Sequence, residues 1–380
     1  MKRLAEEVSR DPDYQISVLA PEVADSPYEH RFGGIPVRRF RYWPIRKGQL
    51  LTQSSIRDQL IRYPWLMAQV PIFLIAEFFA LRQEMRREPA AIIHAHWLFP
   101  QGCIAAFYKR FIRPSVRIVC TVHGSDVNVL RGAFFRAIHR WTMKVINAVI
   151  VVSPSLAENR LFSGHKNLKI ISMGFDPIRP PQEEVEVVRE TYDRGPILLF
   201  VGRLVPAKNL DKVIDAMPEV WKHNSEATLL IIGDGPFRKQ YESQAARSDR
   251  PGRIHFLGSM PAQELAVFYA AADVLVAASS SEGFGLIFLE ALSAGLPIVT
   301  TPVGIIPHLS NNAIHTFSLG AGPVQMATVI NESLEHGTGP EPGEREELEA
   351  RYGWRSVATQ YLTVYREVAA KADSTGQHTI

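Results

Sequence analysis

The stretch Ser280-Ser281-Glu282-Gly283-Phe284-Gly285-Leu286-Ile287-Phe288-Leu289-Glu290 decides the fold, because it joins a strand, a glycine turn and a helix. It follows the apolar run 272–279, which predicts a buried strand, and it opens a helix predicted to end near Gly295. This combination forms an anion site, since free N–H groups and the positive end of the helix dipole converge there. Eight positions are a little over two helical turns at about 3.6 residues per turn. We therefore expect Glu282 in the turn and Glu290 on the helix, facing the same crevice.

Length and composition predict two domains in a reducing compartment. A chain of 380 residues, 46% of them apolar, exceeds the size at which a single core stops growing. Cys103 and Cys120 are its two cysteines, and they argue against a disulfide framework.

Charge is distributed unevenly along the chain. Residues 1–180 hold 26 Lys+Arg and 14 Asp+Glu (26 − 14 = +12), and the remainder holds 16 and 25 (16 − 25 = −9). The basic half indicates either an anionic partner, such as a phospholipid surface or a phosphorylated lipid, or a solvated basic face with no partner. A nucleic acid is not among the expected partners.

The most hydrophobic segment is 63–81, which includes Gln69, Pro71 and Glu77 and falls short of a clean span of about 20 apolar residues. Basic residues flank it, namely Arg57, Arg62, Arg82, Arg86 and Arg87. Two interpretations stay open, an interfacial helix beside a lipid acceptor or a helix buried in the first domain. The expected location is the cytoplasm, with peripheral contact at an anionic inner membrane face under the first interpretation.

Strands alternate with helices throughout, which predicts a parallel α/β architecture. We expect a first domain over 1–180, a proline-rich acidic linker over 181–195, and a second domain over 196–353. The final helix, 354–372, has apolar residues at helical spacing and is expected to pack back onto the first domain.

A second motif opens the second domain. Gly202 and Arg203 follow a predicted buried strand, and Lys208 comes five residues after Arg203. Two cations at the carboxyl end of a parallel strand suit a diphosphate, although they could also be solvated loop cations. Leu257 ends another predicted strand, whose backbone could contact a nucleobase edge.

Histidines end two predicted strands of the first half. His123 could bind a sugar hydroxyl with Asp126 orienting it, or it could be a capping histidine. His94 and His96 have no third ligand at suitable spacing for a metal, so packing or acceptor-side contact is the favoured interpretation for His96.

Taken together, these motifs resemble retaining glycosyltransferase family 4 over nearly the whole chain. The elements that carry the resemblance, in the family's order and spacing, are His123–Asp126, Gly202-Arg203 with Lys208, Gly233–Pro236, Phe256–Gly258, Glu282–Gly285 with Glu290, and Gly295–Pro297. The resemblance implies a GT-B fold, in which two Rossmann-like domains face each other across a cleft and the second holds a nucleotide-sugar.

The resemblance also implies residue roles. Arg203 and Lys208 would neutralise the diphosphate, Glu290 would bind the ribose, and Glu282 would hold the sugar. The implied catalytic residues are Glu282, His123, Arg203 and Lys208. The implied donor-binding residues are Gly202, Arg203, Lys208, Leu257, Gly283, Phe284, Gly285, Leu286 and Glu290. His123 would contact the sugar, and His96 and Asp126 would lie on the acceptor side. The family needs neither a bound metal nor another cofactor.

The implied activity is retaining hexosyl transfer from a nucleotide-diphosphate sugar to a glycan or lipid-linked acceptor in cell-surface polysaccharide or glycolipid synthesis. Two alternatives stay open. One is a non-catalytic nucleotide-sugar-binding relic or subunit, and the other is a GT-B nucleotide-sugar epimerase.

Two departures from the family pattern matter. Ile305 and His308 replace a glycine and a glutamate that are frequent in the family, which puts contacts of that loop in question. Residues 1–8 resemble the first helix of the family, so a preceding strand and glycine-rich loop of roughly 20 residues are expected to be missing. Our expectation is that the sequence starts at an internal methionine of a longer gene product.

Overall fold

The computed structural model describes residues 1–23, 27–45, 49, 51, 63–124, 132–192 and 195–373. The helices are α1 (Lys2–Val8), α2 (Gln69–Arg87), α3 (Cys103–Phe111), α4 (Ala133–Val145), α5 (Pro154–Ala157), α6 (Gln182–Thr191), α7 (Leu210–Trp221), α8 (Arg238–Ala245), α9 (Ala262–Ala271), α10 (Leu286–Ser293), α11 (Pro323–His336), α12 (Pro342–Tyr352) and α13 (Trp354–Asp373). The strands are β1 (Val18–Pro21), β2 (Glu29–Phe32), β3 (Ile35–Phe40), β4 (Ile92–His96), β5 (Arg117–Val122), β6 (Ala148–Val151), β7 (Leu168–Ile170), β8 (Ile197–Val201), β9 (Thr228–Ile232), β10 (Ile254–Gly258), β11 (Val274–Ala277), β12 (Ile298–Thr300) and β13 (Ile314–Thr316).

The chain divides into two compact units with different boundaries from those expected. The first unit is Met1–Ser172 together with Trp354–Ile380, and the second is Met173–Gly353. The segment expected as a linker over 181–195 contains α6, which packs on α9 through Val185 and Val267. It is therefore part of the second unit, because its apolar side chains find a partner there.

The second unit is built on a parallel six-stranded sheet in the order β10-β9-β8-β11-β12-β13. β8, β9 and β11 are buried along their whole length, as continuous apolar strands in a sheet covered on both faces should be. Strand order reverses at β8, since β9 lies on one side of it and β11 on the other. The carboxyl ends of β8 and β11 thus flank a crevice of the kind in which open α/β sheets bind ligands.

Helix α7 covers the sheet with the apolar stripe that its sequence predicts. Leu210, Val213, Ile214 and Met217 are buried in the core that also contains Phe200 of β8. This packing places the first turn of α7 directly after the loop that leaves β8.

The first unit holds two sheets among its described residues. β4, β5, β6 and β7 form a parallel sheet in that order, and β1, β3 and β2 form a separate one in which β2 runs antiparallel to β3. β1 and β4 are both edge strands.

Helices α1 and α13 pack together on the four-stranded sheet of the first unit. Their buried side chains, including Leu4, Tyr361 and Tyr365, share a core with Val119 and Ile150 of the strands. Trp354 begins α13, so the final helix belongs to the compact unit that also contains the N-terminal residues.

Candidate active site

Two loops of the second unit are joined by hydrogen bonds at the point where strand order reverses. The loop after β8 and the loop after β11 meet where the backbone N–H of Ser280 donates to the carbonyl of Ala207 at 2.8 Å. The Asn209 side-chain amide donates to the carbonyl of Ala278 at 2.8 Å, and the Ser280 hydroxyl donates to Ala207 at 3.1 Å. These bonds fix the two predicted donor-binding motifs against each other.

Lys208 and Glu282 form an ion pair at this junction. Lys208 Nζ donates to Glu282 Oε1, and the Ser279 hydroxyl donates to the same oxygen at 2.8 Å. Only 19% of the Lys208 side chain and 12% of the Glu282 side chain are exposed. Because water is partly excluded, the charges interact more strongly than at an open surface, and removal of one would leave the other poorly compensated.

Arg203 lies on the same loop and is exposed. The loop is bonded to the turn after β9, because the N–H of Leu204 donates to the carbonyl of Asp234 at 3.0 Å. A side chain on Gly233 would place its Cβ 1.9 Å from the carbonyl oxygen of Gly202. The Gly233–Pro236 turn therefore has a structural role, since only glycine permits this close approach.

The glycine turn leads into α10 as the sequence predicts. Gly285 precedes the helix with a φ of +93°, and a Cβ there would lie 2.6 Å from the ring of Phe288. Among the described residues, no side chain caps the first amides of α10. These N–H groups and the helix dipole are suited to an anion such as a phosphate.

The loop after β12 supports the glycine turn through a backbone hydrogen bond. The N–H of Ile305 donates to the carbonyl of Phe284 at 2.8 Å, and the Phe284 side chain is buried against Tyr352, with ring centroids 6.4 Å apart. A Cβ on Gly304 would lie 2.3 Å from the Phe284 oxygen. The replacement of the family's glycine by Ile305 thus leaves this hydrogen bond intact, because the backbone amide makes it and the side chain does not.

Glu290 is held on α10 by a partner that sequence reasoning missed. The Tyr269 hydroxyl of α9 donates to Glu290 Oε2 at 2.8 Å. Burial raises the pKa of the Glu290 carboxyl; the Tyr269 hydrogen bond opposes this shift, and the charge of Asp176 adds to it. The available signal was a tyrosine within the apolar helix sequence AVFYAA, since a buried tyrosine hydroxyl requires a partner.

Leu257 lies at the carboxyl end of β10, on the same edge of the sheet as the two joined loops. The next residue, Gly258, accepts a hydrogen bond from the N–H of Gly233 at 2.8 Å. Arg238 donates to the carbonyl of Phe256 at 3.3 Å, which secures the strand end from α8.

The first unit brings three histidines together at the carboxyl ends of β4 and β5. His96 Nδ1 lies 3.1 Å from His123 Nε2, and the two rings stack with centroids 5.4 Å apart. His94 Nε2 lies 2.8 Å from the Thr121 hydroxyl, and His94 Nδ1 lies 2.6 Å from the Tyr365 hydroxyl. These short contacts show that the rings are oriented by defined hydrogen bonds.

All three histidines favour the neutral form. Burial lowers the pKa of His123 to about 4, with a further contribution from the positive amino terminus. Burial, together with the charge of His123, lowers the pKa of His94 to about 3, and burial holds the pKa of His96 well below its usual range. Near neutral pH these side chains act as hydrogen-bonding groups and carry no charge.

Asp126, expected to orient His123, lies outside the described residues. In the described part of the chain, His123 contacts His96 and lies with its ring centroid 5.1 Å from that of Trp97. Over the same part of the chain, no group of three or more His, Cys, Asp or Glu side chains is placed to hold a metal ion.

Comparison with protein families matches both halves of the chain. Residues 1–179 match the family model "Glycosyltransferase Family 4", and residues 181–342 match "Glycosyl transferases group 1". The two matches together cover the described sites of both units.

Individual relatives are similar to the chain at 24–29% identity. An uncharacterised glycosyltransferase of Methanocaldococcus jannaschii is 29% identical over 61% of this chain and 62% of its own length. N-acetyl-alpha-D-glucosaminyl L-malate synthase of Bacillus anthracis is 24% identical over 92% of both chains. The phosphatidylinositol N-acetylglucosaminyltransferase GPI3 subunit of Saccharomyces cerevisiae is 24% identical over 80% of this chain and 72% of its own.

Solved structures show the fold. Sucrose-phosphate synthase of Thermosynechococcus elongatus superposes with a TM-score of 0.80 at 19% identity, covering 97% of this chain and 92% of that one. Anabaena HepE in complex with UDP and glucose superposes with a TM-score of 0.71 at 17% identity, covering 96% and 95%. The chain is therefore a member of glycosyltransferase family 4 with the GT-B fold, as its motifs predict.

Proposed function

We propose that this glycosyltransferase transfers a sugar, with retention of anomeric configuration, from a nucleotide-diphosphate sugar to a lipid-linked or glycan acceptor. The observation that carries the proposal is the joined pair of loops at the carboxyl ends of β8 and β11, which sets Lys208 beside Glu282. A cation, a carboxylate and uncapped helix amides at one sheet edge combine the groups that a sugar diphosphate needs.

In this proposal the second unit binds the donor. Lys208 and Arg203 supply positive charge, and the first amides of α10 supply N–H donors for the diphosphate. Glu282 accepts hydrogen bonds from sugar hydroxyls, and Glu290, oriented by Tyr269, accepts them from the ribose. The solved complex of HepE with UDP and glucose supports a nucleotide-sugar as the ligand class.

The reaction breaks the bond between the anomeric carbon and the diphosphate oxygen, and it forms a bond from the acceptor oxygen to the same carbon. The acceptor proton passes to the leaving diphosphate. Charge grows on that diphosphate as the bond breaks, so fixed donors aimed at it stabilise the transition state more than the bound substrate. Lysine, arginine and helix amides perform this role in our proposal, with no metal or other cofactor.

The acceptor in our proposal is lipid-linked and lies at the cytoplasmic face of an anionic membrane, where the product enters a cell-surface glycolipid or polysaccharide. The charge of +12 in residues 1–180 supports this assignment, because basic surfaces are attracted to anionic lipids. A relative named for phosphatidylinositol N-acetylglucosaminyl transfer also supports a lipid acceptor.

Thermal unfolding in the presence of UDP-, GDP- and ADP-sugars tests the donor assignment. A donor at about 100 times its Kd adds about 2.7 kcal/mol to the stability of the folded chain. We expect one nucleotide class to raise Tm, and we expect Lys208→Ala to reduce the rise by about half or more, because a tenfold higher Kd lowers the added stability to about 1.4 kcal/mol. The matched control is Lys239→Ala, since Lys239 is an exposed lysine on α8. No stabilisation by any of the three classes would contradict the proposal.

The products of turnover distinguish a retaining transferase from an epimerase and from a non-catalytic subunit. Retention predicts that proton NMR of the first product shows the anomeric configuration of the donor. An epimerised nucleotide-sugar formed without an acceptor would favour the epimerase, and donor binding without any turnover would favour a non-catalytic subunit.

A further inference from the structure

Helix α2 and the turn before it form an apolar segment that the protein does not bury. The segment Pro64–Arg87 is 24 residues long and contains an 18-residue window with a mean hydropathy of 1.6, of which only 17% is buried. A core helix of a soluble protein would be mostly buried. The structure therefore leaves a long apolar helix in contact with the surroundings of the first unit.

The helix has an inner side and an outer side. Phe73, Glu77 and Glu84 are buried on the inner side, at the spacing of one helical face. Ile75 and Phe79 lie on the outer side and are 59% and 55% exposed. The outer side continues into the preceding turn and one residue of the first helical turn, through Trp65, Met67 and Ile72.

The outer side of α2 is continuous with exposed aromatic residues of α3. The rings of Phe78 and Phe79 lie 5.5 Å apart, and Phe78 meets Phe107 of α3 at the same distance. Phe107 in turn meets Phe111 at 4.6 Å. We call the exposed set the apolar face; its members are Trp65, Met67, Ile72, Ile75, Phe79, Phe107, Phe111 and Ile112. Scattered exposed apolar residues are normal, whereas a connected set of this kind marks an interaction surface.

Exposed cations lie on the two helices that carry the apolar face and on the next helix. Arg86 follows it on α2, and Arg110 on α3 lies over the ring of Phe111 at 5.5 Å. On α4, which packs against α3, the exposed residues Arg136, Arg140 and Lys144 recur every fourth position. The sequence of α4 contains no acidic residue. The two helices that carry the apolar face and the neighbouring α4 thus present several exposed cations.

The acidic residues of the same region do not offset these cations. Glu77 is buried on the inner side of α2. Glu84 and Glu88 are both bonded to Arg38 of β3. The exposed outer side of α2 and α3 therefore combines apolar and basic groups, which is the pattern of a surface that binds anionic lipid.

We propose that the apolar face docks the first unit onto an anionic lipid bilayer. The proposal deepens and rests on the lipid-linked acceptor of the proposed function, because docking would hold the enzyme where such an acceptor lies. Helix α2 lies along the interface and does not cross the bilayer, since Phe73 on its inner side packs on Phe40 of β3 and its Glu84 carboxylate is bonded to Arg38 of the same strand. A second copy of the chain is a poorer occupant, because paired copies would bring the same cations together.

Vesicle flotation of the full chain tests the proposal. We expect the protein to float with vesicles of phosphatidylglycerol and phosphatidylcholine and to float much less with phosphatidylcholine alone. The double variant Ile75→Gln/Phe79→Gln should lower the partition coefficient by about tenfold or more, because it removes apolar groups that enter the bilayer. The triple variant Arg136→Gln/Arg140→Gln/Lys144→Gln should remove most of the preference for anionic vesicles.

The matched control is Val324→Gln, which changes an exposed apolar residue of the second unit, 63% exposed, and should float like the wild type. Lys208→Ala should also float normally while losing donor turnover, so failure of docking and failure of the proposed function give different results. Either of two results would overturn the proposal. One is flotation of the Ile75→Gln/Phe79→Gln variant equal to that of the wild type. The other is a dimer in lipid-free solution that this variant converts to a monomer.

Discussion

The two units use their functional groups in opposite ways. In the second unit, the charged residues Lys208 and Glu282 stay paired at a sheet edge, held by backbone bonds between two loops. In the first unit, the histidines at the strand ends are neutral, and the cations stand beside exposed apolar helices. In our proposals, this difference suits one unit to a charged ligand and the other to a neutral hydroxyl and a lipid surface.

The largest expected effect is on the charged site. Lys208→Ala should reduce kcat/KM for donor turnover by about 100-fold or more, because one fixed donor to developing charge is worth about that much. The change should leave Tm within a few degrees of the wild type. The measurement is steady-state release of nucleotide diphosphate, with Lys239→Ala as the control. Activity near that of the wild type would remove the diphosphate role of Lys208.

The glycine turn should be the next most sensitive feature. Gly285→Ala forces a side chain into left-handed backbone and onto the Phe288 ring, so we expect about 1–3 kcal/mol of lost stability. Donor affinity should fall as well, since α10 would begin in a shifted position. Gly252→Ala is the matched control, because nothing lies within 4 Å of a Cβ at that glycine. Equal denaturation midpoints for the two variants would show that the turn is not strained as described.

A smaller effect is expected at Glu290. Tyr269→Phe removes the hydroxyl that donates to the half-buried Glu290 carboxylate, at a cost of about 1–2 kcal/mol in stability. The KM for the donor should rise several-fold while kcat changes less, because in our proposal Glu290 binds the ribose, away from the reacting bond. Tyr241→Phe on α8 serves as a buried tyrosine control. A change confined to kcat would contradict the proposed ribose contact.

The smallest expected effect is the pH dependence of the stability of the first unit. The unfolded chain has histidine pKa values near 6.5, whereas the folded chain has values of about 3 for His94 and about 4 for His123. Between these values the unfolded state binds more protons, so the histidine contribution to stability is lost as pH falls below about 6.5, by at most about 1.4 kcal/mol per pH unit for each histidine.

Glu77 opposes this trend. Burial raises the pKa of its carboxyl from 4.5 to about 8, so its contribution to stability is lost as pH rises between these two values. Comparison of variants therefore isolates the histidine contribution to the pH dependence of stability. We expect His94→Gln to flatten the fall of the urea midpoint between about pH 7 and about pH 5. His336→Gln, at an exposed site, should leave the pH profile unchanged. Identical profiles for the wild type and His94→Gln would contradict neutral burial of His94.

Strongly periodic apolar segments could be predicted from the sequence. The strand predicted from the apolar run 272–279 is present as β11, and the helix predicted over 354–372 is present as α13, because one has a continuous apolar run and the other has apolar residues at helical spacing. β2 and β13 are short and contain no buried residue, so their sequences carry little apolar signal. The segment 181–195 was expected as a linker because its prolines and acidic residues hide the apolar side chains that pack on α9.

The candidate site could be predicted only in part, because tertiary contacts bring its supports together. The contact of Tyr269 with Glu290 joins two positions on different helices whose sequence spacing carries no mark of a pair. The spacing of Lys208 and Glu282 likewise did not predict that they would contact each other. Their motifs did predict a shared sheet edge, because both follow parallel strands.

The central claim is that Lys208 and its neighbours bind the diphosphate of a nucleotide-sugar, and calorimetric titration tests it most directly. The full chain is titrated with UDP, GDP and ADP, and the titration is repeated on Lys208→Ala and Lys239→Ala. We predict that one nucleotide binds the wild type and Lys239→Ala with equal Kd, and that Lys208→Ala raises the Kd by about tenfold or more, which is about 1.4 kcal/mol. An unchanged Kd in Lys208→Ala would contradict the account.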